Sequence, residues 1–406
     1  ESVGGPPNQY RGASGPFAVS DLRNDHPLCD AWIEAATELG LPLNPDFNAE
    51  TTYGAGKYQL SIGKRWRTSA AKAYLRPALS EGGVELITGA QVSRLIIERG
   101  ACVGVEWISA GQTHRAHADG EVILSAGALQ SPQILQLSGI GPSELLKAHG
   151  IPVAIDAPEV GGNLQDHYQA RVVVRLKDAI SLNNAIRNPI KLAEMGLKWL
   201  ISGTGPLTVG AGQIGAGVCS KFAENGRPDF QLMAMPLSTQ RPGKPLDEFP
   251  GFTTAVWQCH PKSRGRLDIQ STDPFEAPRI TPNYLQDPHD RQVIVEAVKY
   301  ARDLYSQPAF RDHWDLEILP GKDIQTDDQI LTYAREKGGT IFHCVGTCRM
   351  GSDDKAVVDP HLRVRGIDRL RVIDASIMPM ITSANTNAPS LMIGEKGADL
   401  VLGERA

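Results

Sequence analysis

The sequence predicts a mixed α/β protein with more than one domain, and three observations carry that prediction. The chain has 406 residues, more than a single ordinary core accommodates. A buried strand, Glu121-Val-Ile-Leu-Ser-Ala126, runs into a glycine turn at Gly127 and then a helix at about 130–137, which is the grammar of an α/β unit. Alternating runs cluster between 168 and 270 with helices after them, the pattern of an antiparallel sheet backed by helices.

Taken in order, residues 28–40 have helical periodicity and a stop at Gly40. Residues 68–78 read as a short helix ending near Pro77, because proline removes a ladder donor. From 84 the period becomes strand-like, in Val84-Glu-Leu-Ile, Val92-Ser-Arg-Leu-Ile-Ile-Glu, Cys102-Val-Gly-Val-Glu-Trp-Ile and Arg115-Ala-His-Ala. Strands at 168–177 and 214–235 surround a helical stretch at 189–202, and 253–260 and 265–270 add two more. An amphipathic helix follows at 288–306, with Val293, Ala297, Val298, Ala301 and Leu304 on one face, and another at 326–337. After 340 the pattern returns to strand (Leu370-Arg-Val-Ile), a Gly/Asn-rich turn and a helix at 390–402. The expected division is therefore 1–165 and 339–406 in one domain, with 166–338 as a second.

Composition narrows the function. The chain is 41% apolar and 21% charged, with a net charge of −5, so it has no basic footprint for nucleic acid. Its longest apolar runs are strand-length, too short to span a membrane. Six cysteines spread over the chain form no disulfide framework, which points to a reducing, cytoplasmic compartment. Cys344 and Cys348 flank a histidine neighbourhood, but one C-x3-C pair does not make a zinc site, and no metal is expected. The chain opens at Glu1 in a Gly/Pro-rich stretch, which reads as a loop entered mid-protein.

Gly210-Ala-Gly-Gln-Ile-Gly215 spells G-x-G-x-x-G. A dinucleotide loop follows a buried strand and opens a helix. Here the preceding Gly203-Thr-Gly-Pro-Leu-Thr-Val is broken by glycine and proline, and the following Gly217-Val-Cys-Ser-Lys-Phe reads as strand. The context fails, and a Gly-rich loop of the second domain is the better reading.

Three segments stand out together: Gly127-Ala-Leu-Gln-Ser-Pro-Gln-Ile-Leu-Gln-Leu-Ser-Gly-Ile-Gly141, Phe342-His-Cys-Val-Gly-Thr-Cys-Arg-Met-Gly351, and Arg371-Val-Ile-Asp-Ala-Ser-Ile-Met-Pro379 with Ser383-Ala-Asn-Thr-Asn-Ala-Pro389. At these residues the chain resembles the glucose–methanol–choline (GMC) oxidoreductases. Val160-Gly-Gly-Asn-Leu-Gln-Asp-His167, His260-Pro-Lys-Ser-Arg-Gly-Arg-Leu and Pro282-Asn-Tyr-Leu extend the resemblance in the right order. The departure is the family's N-terminal flavin-binding fingerprint and first signature, so an FAD domain without its N-terminal Rossmann unit is expected.

The resemblance implies FAD and oxidation of an alcohol to a carbonyl. His343 would be the base that takes the hydroxyl proton, since histidine titrates near working pH; alone, it also reads as a structural histidine. Asn385 matches the family's second catalytic position, where an amide holds the substrate oxygen; it also reads as a helix cap. The resemblance places Asp374 and Ala375 at the ribityl–phosphate part of FAD, Asn387 and Pro389 along the flavin's pyrimidine edge, and Ala126 and Gly127 by the adenosine half. Val92 would meet adenine through its backbone, though it also reads as an ordinary strand valine. Phe342 would line the substrate pocket or sit in the core. His167 reads as turn structure. The bacterial choline and alcohol dehydrogenase branch fits best, with a primary alcohol as substrate and oxygen, quinone or cytochrome as acceptor. The alternatives are a hydroxynitrile-lyase-like enzyme on the same fold, or a truncated fragment needing a partner segment to bind FAD.

Overall fold

The computed structural model describes residues 1–3, 7–63, 65–177, 181–210, 212–240 and 243–403. They form two compact units: 1–85, 168–259 and 291–339 in one, 86–167, 260–290 and 340–406 in the other. Residues 1–85 thus group with the large sheet, and not with 86–165 as the sequence division has it. The cause is a short strand, Gly54–Lys57, that pairs antiparallel with Ile214–Val218.

The first unit is built on an antiparallel sheet with strands in the order Trp314–Leu319, Tyr168–Leu176, Gly251–Gln258, Phe230–Met235, Ile214–Val218, Gly54–Lys57. Every residue of Gly251–Gln258 is buried, as befits a strand covered on both faces. Two helices back it. Pro27–Glu38 sends the Trp32 indole N–H to Thr254 Oγ1 at 3.0 Å. Pro288–Tyr305 buries Val293, Ile294, Ala297, Val298, Ala301 and Leu304 and brings the Tyr305 hydroxyl to the same Thr254 at 2.7 Å. The amphipathic stripe read from sequence is that buried face.

Of the glycines of the false nucleotide motif only Gly215 is a sheet residue, while Gly210 and Gly212 precede the strand Ile214–Val218 without regular structure. A Cβ at Gly215 would stand 2.4 Å from Leu232 O, and one at Gly217 would stand 2.0 Å from Thr52 O. They permit close strand packing in Ile214–Val218; Ala211 lies outside the described residues. Gly54–Lys57 escapes a pattern reading for the same reason, since Gly-Ala-Gly spells a turn while a Cβ at Gly56 would meet Asn44 O at 2.0 Å. The helix expected to end near Pro77 continues to Glu81. A π-helical turn, Ala71–Leu75, precedes it and leaves Pro77 in the first turn of Arg76–Glu81, where a missing N–H breaks no ladder.

The second unit holds the meander Gln91–Glu98, Ala101–Ser109, Gln112–His117. It also holds the parallel pair Val122–Leu124 and Leu370–Val372, and the helices Gly127–Leu137 and Asn387–Gly403. Leu95, Leu124, Leu135, Val345, Cys348 and Val372 belong to its core. The C-terminal return is therefore real: residues 248 apart in sequence pair strand to strand. Val84-Glu-Leu-Ile forms no strand among the described residues, and Val84, Leu86 and Ile87 are exposed. Alternation marks a face, but without a ladder partner it makes no strand.

Candidate active site

His343 is buried, on a segment clamped at both sides. The Ile341 amide donates to the His167 carbonyl at 3.2 Å, and Val345 exchanges backbone bonds with Gln165. The Cys348 amide donates to Ser376 O at 2.9 Å, and the Thr347 hydroxyl to Ala128 O at 2.6 Å. Gly346 has φ +92, and a Cβ there would sit 2.5 Å from Asn163 O, so only glycine lets the segment approach the Val160–His167 turn.

Both ring nitrogens of His343 are engaged. Its Nδ1 lies 3.0 Å from Nδ1 of His167, a fully buried ring set edge-on to it. Its Nε2 lies 3.2 Å from Asn385 Nδ2. An amide nitrogen only donates, so this arrangement fits a lone pair on His343 Nε2 and the tautomer with its proton on Nδ1, toward His167. Burial lowers the His343 pKa below the ordinary histidine value, and the negative charge of Asp166 partly opposes this. Neutral imidazole with a lone pair on Nε2 is what a general base requires.

Asp166 anchors the segment. Its Oδ1 accepts the His343 amide at 2.8 Å, and its Oδ2 accepts the Tyr284 and Thr340 hydroxyls, each at 2.5 Å. Burial and this carboxylate raise the Tyr284 pKa, keeping the phenol a donor. The Cys344 thiol is pushed up to about 12 by burial and by Asp166, so it is no thiolate ligand. Among the described residues no group of three or more His, Cys, Asp or Glu could hold a metal.

The cofactor candidates divide. Ala126 and Gly127 follow the carboxyl end of Val122–Leu124, and Asp374 and Ala375 follow that of Leu370–Val372. Ligands of α/β sheets bind outside the carboxyl ends of strands. Gly127 has φ +82 and open space where a Cβ would stand, so backbone can be approached there. The Asp374 carboxylate is spent inside the fold: Oδ2 accepts the Gly127 amide at 2.9 Å and the Ser131 hydroxyl at 2.5 Å, and Oδ1 accepts the Ser376 amide at 2.7 Å. Backbone beside Asp374 is what remains to face a ligand. Asn387 opens the last helix and Pro389 lies in its first turn, which carries no acidic residue; its dipole end is open to negative charge. Val92 stands apart, opposite Trp107 in the meander and packed against the core. The Phe342 ring is 77% exposed, with φ +64, so it is not core.

Sequence reasoning missed His167, Asp166, Tyr284 and Thr340. The first three sit inside the Val160–His167 and Pro282–Leu285 segments already singled out, but nothing local announces that they converge on His343.

The chain is similar to known proteins in sequence and in fold. Two family profiles match, both described as GMC oxidoreductase, at residues 8–169 and 261–394. An "Alcohol dehydrogenase [acceptor]" of Pseudomonas putida is 37% identical over 97% of this chain and 72% of its own length. The mitochondrial choline dehydrogenase of Homo sapiens is 40% identical over 98% and 67%. Among solved structures, a formate oxidase variant of Aspergillus oryzae superposes with a TM-score of 0.90 at 26% identity, covering 99% of this chain and 76% of that one. Pyridoxine 4-oxidase from Mesorbium loti superposes with a TM-score of 0.83 at 28% identity, covering 96% and 72%. The match of the N-terminal family profile at 8–169 leaves the expected absence of an N-terminal flavin-binding segment without support. That expectation rested on the flavin-binding fingerprint and first signature not being found, whereas the matched stretch includes the meander and the Gly127–Leu137 helix.

Proposed function

The chain belongs to the GMC oxidoreductase family, and from that premise we propose that it oxidises a primary alcohol to an aldehyde with FAD, His343 serving as the base. One observation carries the assignment: His343 is buried, with its Nδ1 3.0 Å from His167 Nδ1 and its Nε2 3.2 Å from Asn385 Nδ2. The alcohol and choline dehydrogenases among the relatives support redox chemistry over a lyase or a non-catalytic fragment.

Residues at the carboxyl edge of the parallel pair suit the cofactor: an approachable Ala126–Gly127 turn, backbone at Asp374 and Ala375, and the helix start at Asn387 and Pro389. When bound, FAD supplies the hydride acceptor at flavin N5. Val92 would contribute backbone and Phe342 a contact at the substrate entrance. His343 Nε2 takes the hydroxyl proton as the carbinol C–H bond gives up its hydride, so R–CH2–OH becomes R–CHO. The Asn385 amide, already 3.2 Å from Nε2, donates to the alcohol oxygen and holds it there. Asp166 fixes the backbone of His343, and its charge favours the imidazolium formed.

The test is His343→Ala. Anaerobic flavin reduction by alcohols should fall about 10²–10⁴-fold while FAD stays bound. Unchanged bleaching in that variant would remove His343 from the mechanism.

A further inference from the structure

The helix Pro189–Ser202 has no buried residue. Ile190, Ala193, Leu197, Leu200 and Ile201 follow one another at helical spacing, so they form one continuous outward stripe. Ile190 and Ile201 are each 71% exposed, and Leu197 and Leu200 are exposed as well. The opposite side, with Met195 and Trp199, is half-buried. Trp199 stacks edge-on against Trp66, ring centroids 5.0 Å apart, and Trp66 is itself 59% exposed. Scattered apolar residues on a surface need no explanation, but a contiguous stripe does.

Charge narrows what covers it. Lys191 and Lys198 border the stripe, and neither forms an ion pair among the described residues. The Arg65 guanidinium reaches Leu200 O at 2.7 Å, and Arg187 lies before the helix start. Glu194 is the helix's one acid. A chain of net charge −5 thus concentrates positive charge around its most apolar exposed helix. At 14 residues the helix is about 21 Å long, at 1.5 Å per residue. No described helix is long and apolar enough to cross a membrane. An apolar stripe bordered by lysines that can lift their ammonium groups fits the boundary between acyl chains and headgroups. A convex single stripe offers no groove for a peptide.

We propose that Pro189–Ser202 docks on the surface of an anionic lipid bilayer, lying in the interface without spanning it. The cations face lipid phosphates and the Ile190–Ile201 stripe enters the acyl boundary.

Cosedimentation of the full chain with vesicles tests this. The chain should bind vesicles of phosphatidylglycerol and phosphatidylcholine in equal parts. Leu197→Asp with Leu200→Asp should weaken binding by about tenfold or more with the far-ultraviolet spectrum unchanged. Lys191→Glu with Lys198→Glu, which leaves the stripe intact, should weaken binding to the anionic vesicles by about tenfold or more and leave that to pure phosphatidylcholine unaltered. Absence of vesicle binding, or binding that neither variant alters, overturns the proposal. So does sedimentation velocity showing a dimer that the aspartate variant dissociates while vesicles stay unbound, which would give the stripe to a second copy of the chain.

Discussion

Asp166 and Asp374 are two buried carboxylates in one unit, and they bind nearly the same donors. Asp166 takes one backbone amide and two hydroxyls; Asp374 takes two backbone amides and one hydroxyl. Their neighbours differ. Asp166 stands against His343, whose protonation it favours. Asp374 ties the start of Gly127–Leu137 to the Ser376 turn, across 247 residues of sequence. The same local chemistry therefore sets a carboxylate against the imidazole of His343 in one place and acts as a brace in the other. A carboxylate's role follows from what it faces, not from how many bonds it makes.

The comparison can be broken by removing each in turn. Asp374→Ala strands the Gly127 and Ser376 amides, and should destabilise the chain by about 3 kcal/mol in urea unfolding, at about 1–3 kcal/mol for each stranded buried group. The pH dependence of flavin reduction in the remaining folded protein should not move. A shifted pH limb would mean Asp374 also tunes catalysis. Asp166→Asn keeps the shape and removes the charge. Flavin reduction at neutral pH should fall by about tenfold through loosened positioning, a loss of about 1.4 kcal/mol. With burial lowering the His343 pKa and only Asp166 opposing it, the limb where activity rises with pH should move to lower pH. Movement to higher pH would contradict the tuning role.

His343 also links to stability. Its folded pKa lies below the ordinary histidine value, so the unfolded chain binds the proton more readily. Its contribution is fully present above the unfolded pKa, about 6.5, and is lost as pH falls from there through the folded pKa. His343→Ala should flatten this part of the stability profile, measured by urea unfolding across that range. The smallest effect sharpens the contrast from outside: Phe342→Ala, at an exposed ring, should change stability by under about 0.5 kcal/mol while altering KM for alcohols.

Much of the architecture was legible because it is local. The helix at 189–202 is Pro189–Ser202, the stripe at 288–306 is the buried face of Pro288–Tyr305, and the strand–glycine–helix unit at 121–137 stands as read. The failures share one cause. Gly54–Lys57 is a strand that the pattern reading did not identify, Val84-Glu-Leu-Ile looks like a strand and is not, and Pro77 looks like a stop and is a first-turn residue. Each depends on a partner that periodicity does not contain: a carbonyl pressing on a glycine, an absent ladder, a π-turn upstream.

The site divides the same way. By itself the sequence singled out His343 and Asn385 as candidates for the chemistry, because residue type and motif limit which group can accept a proton. It could not decide in which direction the His343 pKa moves, nor what its two ring nitrogens meet. Those follow from His167 and Asp166, 176 and 177 residues away, and from burial. Periodicity is written between neighbours a few residues apart, whereas the electrostatic state of a buried ring is set by whatever folding brings within about 4 Å of it.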